Sequence, residues 1–306
     1  MPRNGNKRNQ FKPHSELFGL SLPGLVYLFI FAYIPMFGII IAFKNYRYDK
    51  GIFGSEWIGF KNFEFLFASD NAWRITRNTI SYSFTFIVIG TITALVLAIL
   101  LSHLGKNWIK LHQSILFLPY FVSWVVVGYI VMAFLDNSSG FINQMLVAFG
   151  GSPRKWYFEA GHWPFILIIV NEWKNIGFSA LIYFAGIMGI NQDYYEAARI
   201  DGASKWQMAS KITLPLLAPL VTILLILSIG RMFRGDFGLH YFVPNNSPFT
   251  LPTTDIIDTY VFRALRELGD IGMSSATGVY QSVVGFVLVL SANYIVRKMN
   301  EDHALF

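Results

Sequence analysis

Six stretches of the chain are long and apolar. Residues 18–43, 79–101, 114–135 and 271–296 contain no Asp, Glu, Lys or Arg, and neither does the shorter run 214–230, with room to extend to about Phe233. Residues 163–190 are long enough but carry Glu172 and Lys174. The hydrocarbon core of a bilayer is ~30 Å thick and takes about 20 apolar residues in helical form. The pattern therefore predicts six membrane-spanning helices. Strands of a membrane barrel would alternate in segments of ~10 residues, and no such alternation is present. Residues 18–43 are too long for the h-region of a cleaved signal, which runs about 7–15 residues. Pro23 and Pro35 are compatible with a bundled membrane helix.

An even number of spans places both termini on one side. That side carries Arg3, Lys7, Arg8 and Lys12 (against Glu16) before the first span, then Lys106 and Lys110, then Arg199, Lys205 and Lys211, and finally Arg297 and Lys298. The opposite loops hold Lys44, Arg47, Lys50, Lys61, Arg74, Arg77, Arg154, Lys155, Arg263 and Arg266 over a longer stretch. The difference in density is mild and points to cytoplasmic termini. Composition agrees with a membrane protein: 54% hydrophobic and 14% charged, against about 25% charged in a soluble domain, with a mean hydropathy of +0.46. Disordered, collagenous and disulfide-rich classes are excluded. With no cysteine, thiolate chemistry is excluded too. The net charge of +6 is not gathered on one polar patch, so no nucleic-acid partner is expected. A basic excess of this kind suits cytoplasmic loops facing anionic lipid. The reading is an all-α polytopic protein, one transmembrane domain over 1–306, with a cytoplasmic tail at 1–17 and a cytoplasmic loop at 190–213.

That loop carries the most specific pattern. Asp193, with Glu196 three residues on, is placed to cap a short helix. Gly202 stands where that helix ends and a positive φ is commonly required. A second short helix, 204–213, leads to Pro215, which suits the first turn of the following span. A helix–turn–helix hairpin results, with small alanines that permit close approach. Glu196-Ala197-Ala198, then Gly202, Ile212 and Leu214-Pro215, have the residues and spacing of the loop found in membrane subunits of binding-protein-dependent ABC importers, which the chain resembles. The Asp201-Gly202-Ala203 form is similar to the carbohydrate importers of the maltose and glycerol-phosphate type. Ile58-Gly59-Phe60-Lys61-Asn62-Phe63 resembles that group's G-x-x-N-F element and Arg77-Asn78-Thr79 its N-T. Asp255 to Arg266 and Ala292-Asn293 resemble the branch serving oligosaccharides and polysaccharide fragments.

The resemblance implies a type I importer permease fold in the bacterial plasma (inner) membrane. The hairpin would lie in a groove of a dimeric cytoplasmic ATPase, Glu196 facing basic residues, Gly202 allowing the turn, and Ala197 and Ala198 lying close to the partner. It implies a second six-helix permease and an extracellular solute-binding protein, docked with help from Pro244, Asn245, Asn246 and Pro248. ATP and Mg would be held by the ATPase, and no cofactor or metal by this chain.

For the solute path the fourth span is the richest source. Glu172, Asn175, Ser179 and Tyr183 fall on one helix face. A charged residue at a membrane helix centre costs ~2.5–3.5 kcal/mol on the insertion scale, so Glu172 should meet a wet cavity or a partner. In one reading the stripe, with Trp173 beside it, is a hydrogen-bonding wall for sugars. In the other, Glu172 and Lys174 snorkel at the outer interface. On the sixth span Ser274, Gly278, Gln281 and Gly285 share a face that favours tight packing, Gln281 being the candidate for the path. Tyr120 and Trp124 in the third span suit a membrane-interface belt or sugar stacking. Arg234 and Asp236 are placed either to pair or to mark the outer interface. Lys174 is the one clear intramembrane cation, which favours an uncharged sugar.

The chain has no phosphate-cradling G-x-x-x-x-G-K-[ST], no H-E-x-x-H and no G-x-S-x-G. His14, His103, His112, His162, His240 and His303 are scattered and read as ordinary loop residues. A non-catalytic subunit is expected. The alternatives are a stand-alone secondary transporter or channel, motivated by the polar stripe, an ABC permease for a non-sugar solute, and a membrane scaffold.

Overall fold

The computed structural model describes residues 12–68, 70–299 and 304–305. Arg3, Lys7, Arg8 and His303 lie outside the described residues. The described chain is helical apart from loops and a two-stranded antiparallel ladder, Lys44–Asn45 with Glu56–Trp57. It divides into two compact units, one of residues up to 64 with 270–279, the other of 65–269 with 280 onward.

In the first unit, helix α1 (Lys12–Leu28) begins inside the predicted tail and runs unbroken through a π turn, Phe29–Tyr33, into a 3-10 segment, Ile34–Phe43. The cause is Pro35, which lacks an N–H and crowds the carbonyl four residues earlier. The helix widens before it and tightens after it instead of breaking. Between residues 17 and 43 only Ala42 is buried, so this apolar helix presents nearly all of its surface outward. Beyond it, Gly59 turns the chain at φ +64. Asn62 Nδ2 donates to the Ala42 and Lys44 carbonyls at 3.0 and 2.9 Å, which fastens the loop to the helix end. Phe43 is stacked on Trp57 and met edge-on by Phe60.

The second unit is built on α2 (Asp70–Ser102), α3 (Lys106–Phe117), α4 (Trp124–Leu135), α5 (Phe141–Ala148), α6 (Trp163–Met188), α7 (Gln192–Ile200), α8 (Lys205–Gly230), α9 (Phe237–Phe242) and α10 (Ile257–Arg263), with the later part of α11 (Ile271–Met299). Among the described residues, five helices of the chain are long and apolar enough to cross a membrane, or six if α3 and α4 count as one bent span. The predicted third span, 114–135, falls on a bent pair and not on one continuous helix: α3 and α4 meet at 97°. Absence of charge could not reveal the corner. Its causes are Pro119, a 3-10 turn at Leu118–Phe121, and extended backbone at Val122 and Ser123, whose hydroxyl caps α4 by accepting from Val126 N.

Helices α2 and α6 lie side by side and run in the same direction, joined by two apolar clusters. Tyr82, Trp163 and Leu167 pack with Val127, Val131, Leu239 and Ile256 at one end. Ala94, Ala98 and Leu101 pack with Ala180, Phe184, Ile187 and Leu217 at the other. Between the clusters the wall chemistry is polar, and there the site lies.

The first end is tied by a buried polar knot. Asp255, 1% exposed, pairs with Arg263 at 2.6 Å and Arg74 at 3.5 Å and accepts from Thr259 Oγ1 at 2.7 Å. Asn78 Nδ2 donates to the Pro252 and Asp255 carbonyls, and the Thr79 hydroxyl accepts from Ile257 N. The residues that carried the family resemblance in the sequence thus hold this end together. Removing one partner of a buried ion pair costs about 3–5 kcal/mol. Asp255→Ala is expected to lower the thermal midpoint of the detergent-solubilised protein sharply; an unchanged midpoint would show the knot to be idle.

Candidate functional site

A cavity of about 300 Å³ opens between α2, α6 and α8. Phe86, Ile87, Gly90 and Thr91 line it from α2, Asn171, Glu172, Asn175, Ile176, Ser179, Ile182 and Tyr183 from α6, and Leu224 and Ser228 from α8. The predicted stripe is therefore one wall of one cavity. Spacing of three and four residues on α6 produces this, since such residues share a helix face. Glu172 Oε2 lies 2.9 Å from Thr93 Oγ1, and Asn175 Nδ2 donates to Asn171 Oδ1 at 2.9 Å. The opposing wall comes from Gly90: even a Cβ there would come no closer than 3.4 Å to Glu172 Oε1.

Other predicted path residues lie elsewhere. Trp173 is 45% exposed and is not part of the cavity wall. Lys174 does not snorkel. It is 7% exposed, and its Nζ donates to the Tyr120 carbonyl at 2.6 Å and the Pro119 carbonyl at 3.4 Å. It also sits 5.4 and 5.2 Å from the ring centroids of Tyr120 and Trp124. The ammonium thus satisfies the Tyr120 carbonyl at the α3–α4 corner and adds a second bond to the Pro119 carbonyl, which already accepts from Val122 N at 3.1 Å, and two rings expected at the bilayer surface or under a sugar serve the corner instead. Gln281 is also turned away from the cavity, donating from Nε2 to the Phe233 carbonyl at 2.6 Å and Asp258 Oδ2 at 3.2 Å. It completes the backbone just past α8. Arg234 and Asp236 do not pair: Arg234 donates to Ser282 Oγ at 3.1 Å, while Asp236 caps α9 through Leu239 N and accepts from the Trp124 indole at 3.0 Å. Burial pushes the Asp236 and Asp258 carboxyls up, against the bonds they accept. The tight-packing reading of α11 holds at Gly285, where a Cβ would come within 2.6 Å of the Gly230 carbonyl.

The hairpin has the predicted form with a different first cap. Asn191 caps α7, its Oδ1 accepting from Asp193 N at 3.1 Å, and Asp193 lies in the first turn. Asn191 is extended (ψ 128) as an N-cap must be. At the other end Gly202 N donates to the Arg199 carbonyl and Ala203 N to the Ala198 carbonyl. These two bonds form a Schellman motif, which needs a left-handed residue at Gly202, and Gly202 has φ +77. Ser204 then caps α8 in a reciprocal box with Gln207. The Tyr195 and Thr213 hydroxyls meet at 2.9 Å and join the two arms. Glu196, Ala197, Asp201 and Gly202 are exposed, Ala198, Ala203 and Ile212 half-buried. Pro215 does not begin a separate helix. The second arm is the start of α8, continuous through a π turn at Ala209–Thr213, the same accommodation that precedes Pro35.

The family model for the binding-protein-dependent transport system inner membrane component matches residues 111–301. The chain belongs to this family. Protein LplB of Bacillus subtilis (strain 168) is 33% identical over 287 residues, covering 94% of this chain and 90% of that protein. The polygalacturonan/rhamnogalacturonan transport system permease protein YteP of the same organism is 33% identical, covering 94% and 89%. The trehalose/maltose transport system permease protein MalF of Thermococcus litoralis is 31% identical, covering 91% of each. Among solved structures, a bacterial ABC transporter involved in the import of the acidic polysaccharide alginate has a chain that superposes with a TM-score of 0.85. It is 33% identical, covering 94% of this chain and 97% of that one. A second structure, with a TM-score of 0.85 and 32% identity, contains that kind of importer in complex with an alginate pentasaccharide-bound periplasmic protein.

In this inner membrane component, sequence reasoning missed three features of the site. Asn171, Thr93 and Gly90 surround the Glu172 carboxylate, yet on α2 a small or hydroxyl residue in an apolar run gives no signal. His240 is no ordinary loop residue: it is 3% exposed, bonds the Thr254 carbonyl at 2.9 Å and meets Tyr82 edge-on. Burial pushes its pKa down to about 4. The unfolded chain therefore takes up a proton near pH 6.5 that the folded chain refuses until about pH 4, and stability falls as pH drops through that window. The loss amounts to about 3 kcal/mol at its full extent. A thermal midpoint that falls between pH 7 and 4.5 in the parent, and falls less in His240→Gln, is the expected result; equal falls would place the titration elsewhere.

Proposed function

We propose that this chain is the transmembrane subunit of an ABC importer for an oligosaccharide or polysaccharide fragment. With a second six-helix permease it forms the translocation path, and an extracellular binding protein delivers the solute. It is a single type I permease domain with six spans and both termini cytoplasmic, the bent α3–α4 pair being the third. Glu196, Ala197, Ala198, Asp201, Gly202, Ala203, Ile212, Leu214 and Pro215 couple it to a dimeric cytoplasmic ATPase that holds ATP and Mg, while this chain does no chemistry. Glu172, Asn175, Ser179 and Tyr183 line the path. The outward apolar surface of α1 meets lipid or the second permease.

The observation that carries this reading is the capped hairpin: an exposed acid and small residues before a Schellman glycine, with the second arm continuous with α8. The sugar-transport names of the relatives and the alginate importers support the solute class. Purification of the tagged chain from its native membrane in mild detergent is expected to bring an ATPase and a second six-span protein with it. The polar cavity also fits a transporter that works alone. A homogeneous preparation of this chain, active in proteoliposomes under an ion gradient, would decide for that reading and against the importer.

A further inference from the structure

The charge of the cavity points to a narrower class of solute, an inference that rests on reading this cavity as the solute's route. Among its lining residues one is an acid, Glu172, and none is a base. The neighbouring cation, Lys174, is committed to the Tyr120 carbonyl. Glu172 takes part in none of the ion pairs formed among the described residues. Its carboxylate faces the space over Gly90, and the polar groups around it, Asn171, Asn175, Ser179 and Tyr183, are uncharged. The adjoining cavity, which shares Phe86, Ile87 and Ser228, contains Arg231 and Arg234 together with Asp236, and there Arg234 is bonded to Ser282. With Glu172 ionised, a solute passing it meets a negative charge with no counter-charge on the wall.

We propose that Glu172 is a specificity-determining residue that makes this chain select uncharged oligosaccharides over uronate-bearing ones. Hydroxyls of a neutral pyranose donate to the carboxylate. A uronate carboxylate at ~6–10 Å is repelled, at an effective dielectric near 20, by an amount equal to roughly a tenfold to hundredfold loss in affinity. This selectivity separates the chain from the structurally similar importer of acidic alginate.

The test is equilibrium dialysis of the purified importer, with its partner subunits and without the binding protein. The probes are a labelled neutral mannan pentasaccharide and a mannuronate pentasaccharide. The parent is expected to bind the neutral probe at least tenfold more tightly. Glu172→Gln, which keeps the shape, should bring the two within about threefold, and Glu172→Lys should invert the preference. Equal affinities in the parent, or a preference that survives both substitutions, overturns the selectivity and leaves the route intact. Binding of neither probe in any of the three overturns the route and the selectivity with it. The importer reading is judged separately, by whether the partners co-purify.

Discussion

Gly177→Val is expected to abolish accumulation of folded protein in the membrane, and Gly177→Ala to reduce it severalfold. A Cβ at this position would overlap the Leu116 carbonyl and stand 3.1 Å from Phe117 N. These are backbone atoms at the end of α3, one turn before the corner, so no side chain can swing aside. Helix α6 would have to retreat from α3, taking Lys174 away from the carbonyls it satisfies and disturbing the wall that bears Glu172. Interiors resist even one added methylene when the neighbour cannot give, and an orphaned buried carbonyl adds about 1–3 kcal/mol. Gly278→Ala is the control, because a Cβ there meets nothing within 4 Å. Membrane yield and monodispersity in detergent read the outcome. Normal yield of the Gly177→Val protein would mean that α3 and α6 do not make the close contact described.

Gly202→Val is expected to abolish transport while the chain still inserts and folds. A Cβ at Gly202 meets no atom within 4 Å, so the damage is conformational rather than steric. At φ +77 an L-residue with a Cβ is strained by roughly 1–2 kcal/mol, more when β-branched. The Schellman bonds of Gly202 and Ala203 would then give way and the two arms would reorient. Asparagine tolerates the left-handed region, so Gly202→Asn should retain most activity. Uptake in cells, with membrane yield measured alongside, separates the three proteins. Normal uptake by the valine variant would remove the hairpin from the mechanism, and loss of uptake by Asn and Val alike would replace geometry with a need for bare backbone.

The fold was legible where a local signal and a global one coincided. The predicted run 214–230 ends where α8 ends, because Gly230 and Arg231 stop apolarity and helix together. Gly202 was legible because a turn that needs positive φ favours one residue type. The α3–α4 corner was not, because it occurs inside a run that is uniformly apolar, and hydropathy reports environment rather than direction. Lys174 and Gln281 misled for the same reason. A polar side chain in a span must find a partner, but its sequence neighbours do not say whether that partner is a solute or a backbone carbonyl left over by an irregular helix. The stripe of α6 was legible as one face. Its complement on α2, at Gly90, Thr91 and Thr93, was not, since a cavity has two walls and periodicity describes one helix at a time.

The continuity of α8 has a mechanical consequence. At 1.5 Å per residue, its 26 residues make a shaft of ~39 Å from the capped turn at Ser204 to the close approach of Gly230 and Gly285. No hinge of coil interrupts it. A rotation imposed on the hairpin reaches Leu224 and Ser228 as a rotation of the same sense, passing two places where the bond ladder is altered, the π turn at Ala209–Thr213 and Pro219. The shaft bears on α11 through glycine at its far end, where Gly230 lies directly against the Gly285 backbone and the stiff, β-branched side chain of Val289, so little slack is left to absorb a movement.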